Sequence, residues 1–523
     1  MRLPRGLLRD SVAGLSLANL CLLGAWAEVL LVNAPRAYFL KVTGLDLVAA
    51  LLNLLLLGVV ITWLVRLARR TQHPSVRRVV TGVVLAALLV PINLLRREVL
   101  GLGPADLLAA LSGLGRARAP ILALGAGLIV WAIIRFQPRV WAGVNALLLF
   151  LAPFAALTSL RAGWVLLTDD LSETADPPLA PRIHEGARSP RVLILLFDEL
   201  DERLVFTNRA EGLALPEFDR LSAEAVAGTQ TWPAGPDTDT SIPGLIAGRL
   251  VVRASPASPH ELSLWFQDAD GPVGWSTEPS LFSKARALGM DVAVAGWYHP
   301  YCRLFNASLT RCHWEPHTIV TARGARSLAA AITAQWAGMS PWSNRRNHIA
   351  NYERLRHEAV TLATDSTIEL VFAHLSVPHL PPIYDRGRDA LTLHNYSSAG
   401  YLDNLVLADR LLGEIRRSLE GRGLWPRTHV IVTSDHAWRL AARHDGIADH
   451  RVPLLVKLAG RTSGLAYTRP LNTIVVHDLT LALLASDVHT TDQLTAWLDQ
   501  QRGRFPVSPD RAGGQLPMPR SDP

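Results

Sequence analysis

Five apolar runs, near residues 11–32, 44–65, 79–95, 120–136 and 140–160, restrict this 523-residue chain more than any other feature. A helix needs about 20 apolar residues to cross roughly 30 Å of hydrocarbon. Inside lipid the backbone must satisfy its own hydrogen bonds, so runs of this kind become spanning helices. The expectation is a five-helix membrane domain over residues 1–165, with four spans as the alternative because the third run contains Pro91 and the fourth is short. A cleaved signal peptide does not account for the first run, because further spans follow it directly. Positive charge in short loops sets orientation. Arg2, Arg5 and Arg9, then Arg66, Arg69, Arg70, Arg77 and Arg78, then Arg135 and Arg139, mark the inner side. The opposite side carries fewer and diluted cations, and Asp169, Asp170, Glu173 and Asp176 follow the last span. The chain beyond about 161 is therefore expected outside the cytoplasm, with Gly103–Gly115 as a short helix in the outer interface.

The net charge of +7 is carried by arginines that flank the spans, and nothing in the chain has the form of a nucleic-acid-binding motif. Residues 166–190, with Pro177, Pro178, Pro181 and Pro190, form a linker, and 504–523 a disordered tail. Between them, over 191–503, strand candidates (191–197, 291–297, 368–375, 428–433, 452–458) alternate with helix candidates (216–227, 278–288, 346–362, 399–419, 477–485). That alternation predicts an α/β domain with a largely parallel central sheet, whose ligands gather at the carboxyl ends of the strands. Cys302 and Cys312 lie ten residues apart in this extracytoplasmic part. A disulfide persists there, and two free thiols are the alternative.

Three pieces of this domain carry chemistry. Six consecutive apolar residues, Val192 to Phe197, precede Asp198 and Glu199. A buried strand presents carboxylates rigidly to a metal, although a solvated acidic turn would read the same way. Thr238 opens a helix in the run from Gly235 to Arg249, where Asp, Thr and Ser would also serve as a capping cluster. Asp435-His436 follows the β-prone Thr428–Thr433, and an adjacent carboxylate and imidazole suit zinc or manganese. His379 and His444 are the further candidates, with His450 competing with His444. His374, His299 and His313 read first as structural histidines. Tyr401-Leu402-Asp403-Asn404 reads as helix packing and capping.

The order and local sequence of these pieces resemble the alkaline phosphatase/sulfatase superfamily. Leu245-Ile-Ala-Gly248-Arg249 resembles a sulfatase ending whose Gly stands ten residues after the nucleophile, and that spacing selects Thr238. Ser241-Ile242-Pro243 resembles a phosphoethanolamine transferase element whose Pro stands five residues after the threonine, and it selects Thr238 again. Thr433-Ser434-Asp435-His436 resembles the Ser-Asp-His-Gly of both groups, with Ala437 in place of the glycine. Pro378-His379-Leu380-Pro381 is similar to a Pro-His-x-Pro whose histidine contacts the transferred group. The chain departs from sulfatases in having neither a Cys or Ser to oxidise nor an arginine four residues on, where Ile242 stands. Spans followed by such a domain match the layout of phosphoethanolamine transferases and lipoteichoic acid synthases.

The resemblance implies a divalent metal, zinc or manganese with calcium as a further option, on Asp198 and/or Glu199, Thr238, Asp435 and His436. It implies Thr238 as nucleophile, and His379 or His444 assisting the leaving alcohol. The first reading is a transferase of the cell membrane. It would move a phospholipid head-group phosphoester to a glycan or other envelope acceptor, with its catalytic domain on the periplasmic side. A sulfatase-like hydrolase, acting on phosphodiesters or sulfuric esters, is the rival. A non-catalytic, membrane-bound interaction module is the third.

Overall fold

A computed structural model of the chain describes residues 5–30, 35–98, 118–168, 175–186, 190–395, 397, 399–460, 463–505 and 507. They fall into two compact units. One comprises Met1–Asn33, Leu40–Thr174 and Val320–Ser343; the other comprises Ala34–Phe39, Ala175–Ile319 and Asn344–Pro523. The expected interfacial helix at 103–115, most of the expected tail and parts of the linker lie outside the described residues.

The first unit is helical. Three helices are long and apolar enough to cross a membrane: Gly44–Arg70, Pro74–Arg96 and Gln137–Thr168. A fourth crossing results if Gly6–Cys21 and Leu23–Val29, bent by 66° at Leu22, count as one span. Three or four spans thus stand among the described residues, against the five expected. The run 120–136 forms its own helix, Arg118–Arg135. Its two terminal arginines leave an apolar stretch of roughly 24 Å, short of the hydrocarbon thickness. The run 140–160 extends into the longest of the three.

The second unit is built on an eight-stranded sheet. Its order is Leu465–Tyr467, Val226–Gly228, Leu454–Lys457, Thr428–Thr433, Arg191–Phe197, Leu370–Leu375, Val292–Trp297, Arg311–Glu315. Only Leu454–Lys457 runs against its neighbours. Every residue of Arg191–Phe197 is buried, as expected of a strand covered on both faces. The two-residue side-chain period then divides it between two cores. Val192, Ile194 and Leu196 pack with the helices Thr238–Ala247, Leu281–Ala287 and Val475–Leu484. Leu193, Leu195 and Phe197 pack with Pro216–Ser222, Ser343–Ala363 and Gly400–Glu420. Burying each such side chain is worth roughly 1.5–3 kcal/mol, so the strand is an anchored base for whatever stands at its carboxyl end. A separate antiparallel sheet, Val251–Ser258, Glu261–Phe266 and Pro272–Gly274, was not among the expected elements.

Cys302 and Cys312 form a disulfide. It ties the short helix Tyr301–Leu304 to the edge strand Arg311–Glu315. Closing so short a loop constrains the unfolded chain by roughly 2–3 kcal/mol in the chain-entropy model. Replacing both cysteines by serine is expected to lower stability by about that amount. Thermal melts of wild type and variant, together with alkylation and mass mapping of unreduced protein from native membranes, check this. Two freely alkylated thiols would contradict the pairing.

Candidate active site and metal centre

Adjacent parallel strands end at the same edge of a sheet, and here their register aligns two acids. Leu196 pairs with Thr433, so two residues further on Asp198 and Asp435 stand side by side. Ser434 fastens the turns: its Oγ donates to Phe197 O (2.7 Å) and accepts from Leu200 N (2.8 Å). Asp435 Oδ1 accepts from Glu199 N (3.1 Å) and His436 N (2.8 Å). Glu199 takes a left-handed φ of +63°, a strained position for a side-chain-bearing residue. Tyr401 Oη donates to its carbonyl at 2.6 Å.

Thr238 is brought to this edge by the helix Thr238–Ala247, and the capping question is settled there. Asp237, not Thr238, caps the helix, its carboxylate accepting from Thr240 N at 2.9 Å. The Thr238 hydroxyl is thereby released and donates to Asp435 Oδ2 at 2.8 Å, with His436 Nε2 3.4 Å away. Ser241, one turn on, donates to Asp435 O. The other motif residues serve the helix end. Gly248 closes it at φ +71°, with no room for a Cβ against His477. Arg249 pairs with Asp268 and Glu278.

Asp198, Asp435 and His436 are all buried, and one ligand atom from each lies within 4.8 Å of the others. Neither Asp198 oxygen has a hydrogen-bond partner, nor has His374 Nε2, 3.4 Å from Asp198 Oδ2. Burial, then repulsion from Asp435 and Glu199, raises the Asp198 carboxyl well above its ordinary range. Burial pushes Asp435 the same way, but His436, His374 and the hydrogen bonds from Thr238 and Glu199 N outweigh it and hold it low. The pair thus resists carrying two negative charges. Two buried carboxylates, an imidazole and a hydroxyl, with orphaned oxygens among them, fit a divalent cation.

Glu199 is not part of that cluster. Its carboxylate pairs with Arg439 (3.5 Å) and lines a cavity of about 370 Å³. Thr238, Trp297, Tyr298, His317, His379 and Arg439 share the wall. His379 is therefore brought to the cavity that Thr238 lines, on a loop held by Asn404 Nδ2, which donates to His379 O (3.0 Å). Burial, reinforced by His317, His348 and Arg439, holds the His379 imidazole well below its ordinary value, hence neutral at pH 7. His444 is not brought there. It is exposed on Ala441–Asp445, with its ring 5.8 Å from Trp438. His450 does not line the cavity either.

Several residues of the site escape a sequence reading. His374 faces Asp198, and His299 Nε2 donates to Thr238 O (3.2 Å), which leaves its Nδ1 to accept from Tyr38 Oη (3.0 Å). Burial depresses both, His374 to about 4 and His299 to about 3. His313 alone keeps the structural role expected of all three, pairing with Glu315. Tyr401 and Asn404 do more than pack their helix, since they hold the Glu199 turn and the His379 loop. Arg439, three residues after His436, offered the one usable signal: a cation beside a metal-type pair.

Residues 254–448 match the Phosphodiest family, described as Type I phosphodiesterase / nucleotide pyrophosphatase. That stretch contains His379, Asp435 and His436 and leaves out Asp198 and Thr238. No curated protein matches the chain in sequence. Solved structures similar to it include a protein in the alkaline phosphatase superfamily from Vibrio parahaemolyticus (15% identity, 60% of this chain and 72% of that one, TM-score 0.39). The PsFucS1 sulfatase from Pseudoalteromonas sp. (16%, 58% and 69%, 0.40) is another. A third is the phosphonate monoester hydrolase from Silicibacter pomeroyi (14%, 59% and 77%, 0.37).

Full-length protein purified without chelator is expected to carry a divalent cation. Asp435→Ala and His436→Ala should each lose most of it while keeping their far-ultraviolet circular dichroism. Elemental analysis decides: unchanged metal in both variants would mean that the centre lies elsewhere.

Proposed function

We propose that the protein is a membrane-anchored phospho-group transferase that cleaves a lipid head-group phosphodiester with Thr238 and passes the group to a second hydroxyl. The observation that carries this reading is the Thr238 hydroxyl, freed from capping, hydrogen-bonded to a buried carboxylate and opening into the cavity. A divalent cation on Asp198, Asp435 and His436 would lower the pKa of that hydroxyl and offset the buried negative charge. The helix N-terminus behind Thr238 favours both the alkoxide and an incoming phosphate.

The remaining steps belong to the residues on the wall. Arg439 offers its guanidinium to the non-bridging oxygens of the phosphodiester. The Thr238 oxygen bonds to phosphorus while its proton leaves toward Asp435 Oδ2. The bond from phosphorus to the diacylglycerol oxygen breaks, and that oxygen takes up the proton left on Asp435, so the alcohol departs neutral. An acceptor hydroxyl then enters the cavity and gives its proton to the neutral imidazole of His379. Its oxygen displaces that of Thr238 from phosphorus, and the threonine is regenerated. A glycan of the envelope is the acceptor we favour, on the periplasmic side, where the disulfide is at home. Apolar helices support a donor held in the membrane.

The match to phosphodiesterases favours one second reading, in which water takes the acceptor's place. The two separate on incubating the protein with labelled phosphatidylethanolamine or phosphatidylglycerol. Label on a glycan supports transfer, free head-group phosphate supports hydrolysis, and no turnover of any diester sinks both.

Thr238→Ala is expected to be folded and to lose activity by orders of magnitude, with a stability change of about 1 kcal/mol or less. Thr240→Ala and Ser241→Ala should stay active, and Thr238→Ser should keep a residue of activity. A phospho-adduct trapped and mapped to Thr240 or Ser241 would overturn the assignment.

His379 sets the acid side of the pH profile. A histidine whose pKa is depressed stays neutral, and able to accept a proton, until the pH falls well below its ordinary value of 6.5. Turnover should therefore hold from pH 7.5 down past 6.5 and fall only at more acid pH. An acid limb centred at 6.5 or above would remove His379 from the role of base.

A further inference from the structure

Residues 320–343 lie within the α/β domain in sequence but belong to the helical unit in space, and a polar network fastens them there. Glu28 accepts from Thr321 N (2.8 Å), Thr321 Oγ1 (2.5 Å) and Ala322 N (2.6 Å). Gly324 N donates to Lys41 O at 2.8 Å. The short helix Leu328–Gly338 then packs along Gly44–Arg70. Asn53 Nδ2 donates to Gln335 Oε1 (2.9 Å), Trp336 Nε1 donates to Asn53 Oδ1 (2.6 Å), and Gln335 Nε2 donates to Asp46 O (2.8 Å).

The placement has a depth. Asn53 stands nine residues into Gly44–Arg70, roughly 13 Å along a helix that rises 1.5 Å per residue. That is well inside the span rather than above it. Just beyond Asn53, Leu55, Leu56, Val59, Val60 and Trp63 are exposed on the same helix, as side chains facing lipid are. The short helix shows the same division. Ala331 and Gln335, four apart, are buried against the unit, whereas Ala329, Thr333 and Trp336, also at helical spacing, are exposed. Residues 327–344 hold no charged side chain, between Arg326 and Arg345. Trp336 itself has its N–H bonded to Asn53 and its ring outward, so its one polar atom is satisfied by the protein and its apolar face is left to the surroundings.

We infer that residues 327–342 are a membrane-embedded segment, with the Ala329–Thr333–Trp336 face of Leu328–Gly338 seated in lipid beside the span Gly44–Arg70. The occupant is the bilayer itself, because this face continues the apolar surface of that span. The inference rests on the membrane reading of the helices and not on the chemistry of Thr238. If the transferase reading also holds, one consequence follows from the chain: His317 of the cavity wall is four residues before Thr321, so a lipid-held segment adjoins a wall residue in sequence. That suits a donor that never leaves the bilayer.

The test uses the full chain, with Cys21→Ala to remove its free thiol, in vesicles of phosphatidylethanolamine and phosphatidylglycerol. Nitroxide labels are placed by Ala329→Cys and Thr333→Cys, with Val59→Cys as lipid reference and Val252→Cys, exposed on the separate antiparallel sheet, as water reference. Accessibility to oxygen and to a water-soluble nickel chelate is read by power saturation. The expected result is an oxygen-to-nickel ratio for both test sites shifted to that of Val59→Cys. A ratio at the Val252→Cys value overturns the inference, as does protection from both reagents, which would mean that protein covers the face. Both test positions are exposed and lack partners beyond their own helix, so the labels are expected to leave the fold intact.

Discussion

Two carboxylates share one buried edge of the sheet, and the rest of the site is arranged around that constraint. Asp198 and Asp435 are both fully buried, on neighbouring strands whose register leaves them no way to separate. Two such charges cannot both be carried without compensation. The nearby groups are those that compensate: His436 and His374 beside them, the Thr238 hydroxyl and the Glu199 amide donating to Asp435, Arg439 drawn toward Glu199. A cation completes the same logic. The strained backbone at Glu199 belongs to it as well, since that turn aims an amide at Asp435 and sends the next carboxylate into the cavity.

Around this edge, helix capping and the hydrogen bond to Asp435 are divided between neighbours. Asp237 and Thr240 satisfy the helix end, and Thr238, the first helical residue, is left to the acid. A single threonine doing both would have its hydroxyl engaged by the backbone. The side chains behind the site share their work in the same way. Asn404 and Tyr401, from one turn of one helix, hold the two loops that carry His379 and Glu199. The match to phosphodiesterases begins after Thr238, so the proposal of Thr238 as nucleophile rests on geometry and on the motif spacing together.

The membrane part follows a different economy. Its helices expose broad apolar faces, while three of its polar side chains, Glu28, Asp46 and Asn53, hold residues 320–343 and the turn before the Gly44–Arg70 helix. A carboxylate or amide in such surroundings is costly unless fully bonded. That these are bonded to a distant part of the chain ties the helical unit to a segment that sequence order assigns to the other.

The sequence by itself determined the apolar helices, the alternation that makes an α/β domain, and the three pieces of the site. Each of these is a local signal: a run of hydrophobic residues, a period of two or 3.6, a hydroxyl at a fixed spacing from a glycine and a proline. Local signals also misled. Five apolar runs stand beside three or four spans among the described residues, and His444, near Asp435-His436 in the chain, is exposed on its short helix. Only the tertiary structure decided which acid joins the cluster, because Asp198 and Glu199 are neighbours in sequence and differ only in where one left-handed turn points them. It likewise drew in His374, His299, Arg439 and Asn404, which come from separate strands, helices and loops. Their partners lie up to hundreds of residues away, and no pattern within a window of sequence reports a contact made by the closing of a sheet.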